Sequence, residues 1–271
     1  MSNFGLFRGF GEKLFQAELP TNLGMVADDF DDPDYTSFYS RVIAAGGTLT
    51  SEEQLATNEL VLDLKTNLIW DKIKVLLPMV GSSAASCAQN LKSSNFTATF
   101  NGGFTYSADG VKSNGTTGFI NTNLNASIDL TTANCHMSFY QQQATNNNIN
   151  GIYYGPNFFI YFQSATSVWC AIGNGDSTTT TTNRDGMHTL TAVSSAAKLF
   201  RNTTNLTSFT SSSSFPNFDV YINSGNTFAA PNTYGNGIIS YVSLGLGLTD
   251  SDVSNLYTAI QKFNTSLSRQ I

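Results

Sequence analysis

The stretch "SYVSLGLGLTDSDVSNLY", residues 240–257, changes character at its middle. Ser240 to Leu244 is apolar and β-leaning, Gly245-Leu246-Gly247 interrupts it, and a helix signal starts at Thr249. Thr249 and Asp252 stand at capping-box spacing, in which each side chain satisfies an orphan backbone N–H at the helix start. Asp250 and Asp252 also lie at the positive end of the helix dipole. Val253, Leu256, Ile260 and Phe263 then make one apolar stripe, so the spacing predicts a helix over 250–267 that closes a β region. Two acids after a Gly-rich turn could be read as an active-site loop, but their helix-start roles leave nothing over for catalysis.

Upstream, from about Cys87, the chain is written as short strands separated by turn residues: "FTATFNGGFTYSADGV", "GFINTNL", "CHMSFYQQQ", "GIYYGPNFFIYFQ", "SVWCAIGN", "HTLTAVSS", "KLFRNTT", "FDVYIN" and "IISYVSLGLGL". Alternation in "TATF", "HTLTAV" and "FFIYF", with Gly/Asn turns every 10–15 residues or so, is the pattern of a sandwich of two antiparallel sheets. "STTTTTN" from Ser177 reads as a low-complexity loop.

Ahead of the β region the grammar differs. Residues 1–27 form an arm in which Phe4, Phe7, Phe10 and Leu14 could share a helical face, although Gly5, Gly9 and Gly11 would each cost about 1 kcal/mol inside a helix. Such an arm gains order from a partner, which makes these four residues assembly candidates. "DDFDDPD", Asp28 to Asp34, lacks the spacing of a calcium loop and reads as a solvated turn before a helix. Tyr35, Phe38, Tyr39, Val42 and Ile43 recur at helical steps and stop at Gly46-Gly47. Thr50 with Glu53 is a capping box for a second helix carrying Leu55, Glu59 and Leu62. "NLIWDKIKVLLP" reads as a third apolar helical segment ending at Pro78. The domain reading is therefore an arm (1–27), a helical attachment block (28–80) and a sandwich (81–271). About forty helical residues make a poor core alone, so the block should pack on a neighbour or on another chain, which favours a homo-oligomer.

Composition narrows the function. Only 12% of the 271 residues are charged against 41% apolar, so Ser, Thr, Asn and Gly must solvate the surface. A formal net charge of −6 and a pI near 4.7 give no basic field for nucleic acid or anionic membranes. The start, "MSNFGLFRGFGEKLF", has no secretory-signal pattern, and no later run reaches membrane-spanning length, so a product made in a cytoplasm and not inserted in a membrane is expected. Cys87, Cys135 and Cys170 form an odd set without C-x-x-C spacing and read as small buried hydrophobes. Six N-x-[ST] sequons, at Asn95, Asn114, Asn125, Asn202, Asn205 and Asn264, are what chance gives in a chain this rich in Asn, Ser and Thr.

The ordered series of β segments resembles the concanavalin A-like, or LamG-like, jelly roll. "FNGGFTYSADG" with "GFINT" is similar to that family's opening hairpin, and "DGMHTLTAV" to its "G-x-W-H-x-V-A" strand, with Met187 in place of Trp. "KLFRNTTNLTS" resembles its "L-Y-V-N-G" hairpin, with Thr203 where Gly would be, and residues 241–257 resemble its last strand and "L-S-D-x-E-I-x-x-L-Y" helix. The likeness covers about 170 residues. The segment Ser40 to Gly81 resembles one found in bacteriophage structural proteins that carry such a jelly roll.

Glycoside hydrolysis, which this jelly roll also hosts, needs two placed carboxylates. The β region has no Glu, and Asp109, Asp129, Asp176, Asp185 and Asp219 are scattered on apparent turns. Cys135 and His136 are strand neighbours that face opposite ways, His188 is isolated, and neither zinc nor nucleotide-binding spacing is present, so no cofactor or metal is expected. Carbohydrate binding asks less: an aromatic platform beside Asn, Asp or Gln. "GIYYGPNFFIYF" and "SVWCAIGNGD" supply Tyr153, Tyr154, Asn157, Trp169, Asn174 and Asp176 as candidates. Alternating aromatics usually fill a sandwich core, which would place Phe159, Tyr161 and Trp169 inside and leave Tyr153, Tyr154 and Asn157 beside the Gly155-Pro156 turn as the exposed members.

The expectation is a non-enzymatic bacteriophage virion protein: a spike, fibre or capsid decoration subunit. Its arm would bind other virion proteins while its lectin-like jelly roll is displayed, without nucleic acid or membrane insertion. The alternative is a carbohydrate- or receptor-binding module directed at host-surface glycans, and a glycoside hydrolase using Asp residues is the enzymatic rival.

Overall fold

The strand that carries Tyr241, Val242, Ser243 and Leu244 is buried on both faces, and the architecture follows from covering each of them. The computed structural model describes residues 31–142, 153–154, 157–164, 166–181, 183–227 and 230–271, and Asp32–Ile271 forms one compact unit. In chain order its elements are α1 (Pro33–Ala44), α2 (Ser51–Thr66), β1 (Ile73–Leu77), α3 (Ala84–Cys87), β2 (Thr99–Asn101), β3 (Phe104–Ser107), β4 (Gly110–Ser113), β5 (Phe119–Asn125) and α4 (Ala126–Asp129). The series continues with β6 (Asn134–Gln142), β7 (Tyr153–Tyr154), β8 (Phe158–Phe162), β9 (Ser167–Ile172), β10 (Gly175–Thr180), β11 (Gly186–Val193), β12 (Ala196–Arg201) and β13 (Thr204–Thr210). It ends with β14 (Asp219–Ile222), β15 (Ser224–Thr227), β16 (Ala230–Tyr234), β17 (Ile238–Gly245) and α5 (Asp250–Ser266).

Among the described residues the named strands all pair antiparallel, and one isolated bridge, Gly173 to Ser212, is parallel. One large sheet runs β13-β12-β11-β6-β17-β4-β3, with β1 also paired to β17; smaller sheets run β10-β9-β8-β7 and β14-β5-β2. On one face of the large sheet Met137, Phe139, Leu190, Val242 and Leu244 meet Phe158, Ile160, Phe162, Val168 and Ile172 of the four-stranded sheet, with Ile120, Leu124, Val220 and Ile222 of the three-stranded one. On its other face Tyr140, Met187, Phe200 and Tyr241 meet a helical layer built from Tyr35, Phe38, Leu60, Leu64, Leu256, Ile260 and Phe263. Each such side chain contributes about 1.5–3 kcal/mol on burial. The molecule is thus mainly β, an antiparallel sandwich with a closing C-terminal helix and helices laid on the outside of its larger sheet.

The opening stretch behaves as its spacing predicts. Thr249 and Asp252 form a full capping box, and Asp252 also pairs with Lys72 at 2.6 Å while Asp250 pairs with Lys198 at 2.8 Å. Gly245 and Gly247 are there for closeness: a Cβ would come within 2.0 Å of the Lys72 carbonyl oxygen at the first and of the Ala192 carbonyl oxygen at the second. Asp32 caps α1 and binds Lys65 at 2.6 Å, so the acidic run does end in a helix start. The resembling segments fall on β2–β5, β11 and the β12–β13 hairpin, where Asn202 takes the left-handed position at φ 54°.

Two expectations are corrected. Ile73–Leu77 is not helical but the strand β1, paired with Val242 to Gly245 of β17. Val75 and Leu77 face the sandwich core while Ile73 and Leu76 face the helices, so the strand is apolar on both sides and shows no alternation. The described part of the helical block is also not separate from the sandwich. Through β1 it shares a sheet with residues 81–271, α2 packs on α5, and Tyr35, Phe38, Val42, Leu60 and Leu64 are buried within the chain, whereas Ile43, Leu55, Leu62 and Leu68 stay exposed.

Cys87, Cys135 and Cys170 are free and buried, and burial raises all three thiols, those of Cys87 and Cys170 to about 12. The last turn is held by buried Arg269. Its guanidinium donates to the carbonyls of Met79, Pro78 and Ser240 and to Asn264 Oδ1 at 2.8–3.0 Å and lies 4.9 Å from the Phe263 ring centroid. Arg269→Ala strands these buried acceptors, and chemical unfolding should show a loss of about 3 kcal/mol, of which Arg269→Lys recovers less than half because one ammonium cannot span them.

Candidate functional site

The outer face of the four-stranded sheet carries the aromatic and polar residues that neither core absorbs. In β8 the inward set is Phe158, Ile160 and Phe162, and in β9 it is Val168, Cys170 and Ile172. Strand alternation then sends Phe159, Tyr161, Trp169 and Ala171 outward. Register makes rows of these residues: Tyr161, Trp169 and Thr178 lie side by side, and so do Phe159, Ala171 and Asp176, with Tyr153 of β7 paired to Phe159.

Trp169 crosses from its own row to the next. Its indole N–H donates to Asp176 Oδ2 at 2.8 Å, and its ring meets the Phe159 ring edge-on at 4.5 Å. Those two partners flank Ala171, so the indole spans the strand above a residue small enough to leave it room. Phe159 and Ala171 are buried there, while Trp169 stays half-buried and Asp176 and Thr178 stay exposed. At the β9–β10 turn Asn157 Nδ2 donates to Asn174 Oδ1 at 3.3 Å, and Asn174 is exposed.

The structure thus joins Trp169 to Asp176 and, at the turn, Asn157 to Asn174, and Tyr153 and Tyr154 of β7 pair with Phe159 and Phe158. Core placement is corrected for Tyr161 and Trp169, which are half-buried on the outward face; Phe159 is on that face too but fully buried, as expected. Thr178 and Thr180 join the face as well. The threonines of "STTTTT" were read as loop, whereas Ser177 to Thr180 belong to β10 and alternate between half-buried and exposed. The arm residues Phe4, Phe7, Phe10 and Leu14 lie outside the described residues.

Two grooves elsewhere hold groups that are already engaged. In the groove at the start of α2, Glu53 accepts from the N–H groups of Thr50 and Gly81. In the groove along α1, Arg41 donates to Ser37 and to the Asn90 carbonyl, and Lys92 lies 4.5 Å from the Trp70 ring centroid. Asp129 accepts from the Asn125 N–H and Asp219 from Asn121. Among the described residues no group of three His, Cys, Asp or Glu side chains is placed to hold a metal ion.

The two histidines are wholly buried on opposite faces of the large sheet. His136 lies on the helical side, its Nδ1–H donating to the Leu246 carbonyl and its Nε2 accepting from the Ser243 hydroxyl at 3.0 Å, which fixes the neutral tautomer. Cys135 faces the sandwich core instead. His188 stacks on Phe139 at 5.5 Å and meets Phe162 edge-on at 5.0 Å. Burial lowers both: His136 to about 4, against a weaker opposing effect of the Leu246 carbonyl, and His188 to about 3, with the Arg201 charge acting in the same direction.

No protein-family model matches the sequence, and no curated protein does. Solved structures do. The receptor-binding domain of botulinum neurotoxin C/D mosaic serotype aligns at 12% identity with TM-score 0.52, over 70% of this chain and 52% of that one. The binding domain of botulinum neurotoxin serotype D aligns at 12% identity with TM-score 0.50, over 70% and 52%. Botulinum neurotoxin type C, whose cell entry depends on interaction with two ganglioside molecules, aligns at 10% identity with TM-score 0.51, over 72% and 53%. The chain spans about half the length of each, and at these identities the likeness is one of fold.

The histidines generate a pH dependence with a definite sign. Their folded pKa values lie below the unfolded 6.5, so between pH 6.5 and about 4 the unfolded chain binds more protons and stability falls as pH falls. Going from about pH 7.5 to about pH 5 should cost roughly 2 kcal/mol per histidine, seen as a lower urea midpoint. His188→Leu should halve that loss.

Proposed function

We propose that the protein is a non-enzymatic binding module whose four-stranded sheet receives a glycan on its outer face. The observation that carries this reading is Trp169: a large aromatic on the outside of a sandwich, fixed by Asp176 on one side and Phe159 on the other. An indole held in one orientation is ready to stack on the C–H face of a sugar ring, because its side-chain entropy is already spent on protein contacts. Tyr161 extends the aromatic surface, and Asp176, Asn174, Asn157 and Thr178 offer acceptors and donors around it for hydroxyl groups. Binding sites of this type combine an apolar anchor with a few oriented polar groups. The similarity in fold to toxin receptor-binding domains fits such use.

Display on a bacteriophage virion, as spike, fibre or decoration subunit, rests on the resemblance of residues 40–81 and is proposed only as the setting in which such a module would act. Finding the chain in purified phage particles would support that setting.

A glycan array on the whole chain, followed by titration calorimetry on the best-bound member, tests the site. Trp169→Ala should weaken binding by at least about tenfold, equivalent to about 1.4 kcal/mol, with Trp169→Phe intermediate. Ala171→Leu should weaken it comparably by lifting the indole, with Trp169 still present. Unchanged affinity in all three variants would remove this face as the site, and release of reducing sugar from a bound polysaccharide would overturn the non-enzymatic reading.

A further inference from the structure

We infer that the glycan accepted by this face is a neutral one, and that Asp176 is the residue that discriminates against acidic sugars; this rests on the reading of the face as a glycan site. Between Lys112 and Arg184 the sequence contains neither Lys nor Arg, and the whole four-stranded sheet lies inside that interval. Arg184, at its end, is 3% exposed, with its guanidinium 6.0 Å from the Phe162 ring centroid on the inward side. A sialic acid, uronic acid, sulfate or phosphate group needs an Arg fork, a Lys ammonium or a cluster of N–H donors to replace its water. Among the described residues the four-stranded sheet supplies none of the cations.

It supplies an anion instead. Asp176 Oδ2 is occupied by the Trp169 N–H, while its side chain is exposed, so the second oxygen stands beside the indole as an acceptor for a sugar hydroxyl. A carboxylate next to the stacking surface repels a second one at contact distance, and the net charge of −6 adds to that repulsion at long range. The charged residues of the protein are concentrated on the other layer, as in Lys72–Asp252, Lys65–Asp32 and Lys262–Asp63.

The test is an array of matched pairs: each neutral oligosaccharide printed beside its sialylated, uronate-terminated and sulfated forms, probed with the whole chain at about 50 and about 500 mM NaCl. The wild type should bind neutral members over acidic ones at low salt, and high salt should narrow the gap. Asp176→Asn keeps an oxygen for the Trp169 N–H but removes the charge, and should shrink the neutral-to-acidic ratio at least about tenfold. Acidic glycans bound as well as neutral ones, through a face that still needs Trp169, would overturn this inference and leave the glycan site standing. Neutral preference unmoved by Asp176→Asn would overturn the role of Asp176, and binding of no glycan in either class would overturn the site itself.

Discussion

The structure depends on a sheet whose central strands, β6, β11 and β17, are buried on both faces. A sheet of that kind is stable only between two layers, and neither layer can be left to solvent. The smaller sheets cover one face from the middle of the sequence. The other face is covered from the two ends of Asp32–Ile271: α1 and α2 come from the start, α5 from the finish. Ion pairs of Lys262 with Asp63 and Glu59 join them, and Arg269 fastens the last turn to the residues after β1. Long-range closure between the ends is therefore part of the fold and not an addition to it.

The same constraint explains which parts of the fold the sequence shows. Residues 240–257 are readable because their signals are local: a capping box, a glycine interruption and an apolar stripe need no knowledge of the rest of the chain. Ile73 to Leu77 are misread because a strand buried on both sides has lost the period-two pattern that identifies strands, and a short apolar run fits a helix equally well. The β8 run "FFIYF" fails for a related reason. Alternation is present, but both of its sets are aromatic, so the pattern cannot say which one faces the core. The seven-residue separation of Trp169 and Asp176 becomes a contact only through the β9–β10 hairpin, whose register sets Ala171 opposite Asp176. Reading the Gly173-Asn174 turn as a hairpin would have exposed that pairing; reading "STTTTT" as a loop hid it.

The division into layers also separates physical tasks. Charged side chains work at the helical layer, where they cap α1 and α5 and tie α2 to α5. The four-stranded sheet meets water with hydroxyls, amides and one carboxylate around an indole. A surface of this type stays solvated without a strong field, so whatever it recognises is selected by shape and hydrogen bonding more than by long-range attraction, and association should proceed without electrostatic steering.

The place of Ile271 gives the layering one more consequence. Its N–H is held by the Tyr140 hydroxyl on the helical side of the large sheet, and α1 begins at Pro33 on that same side. Both ends of the unit thus emerge on the side away from Trp169. Copies fixed side by side through that layer would present their indole faces in one direction. A weak single-site contact would then be multiplied by geometry, since effective concentration rises when several sites can reach one polymer together.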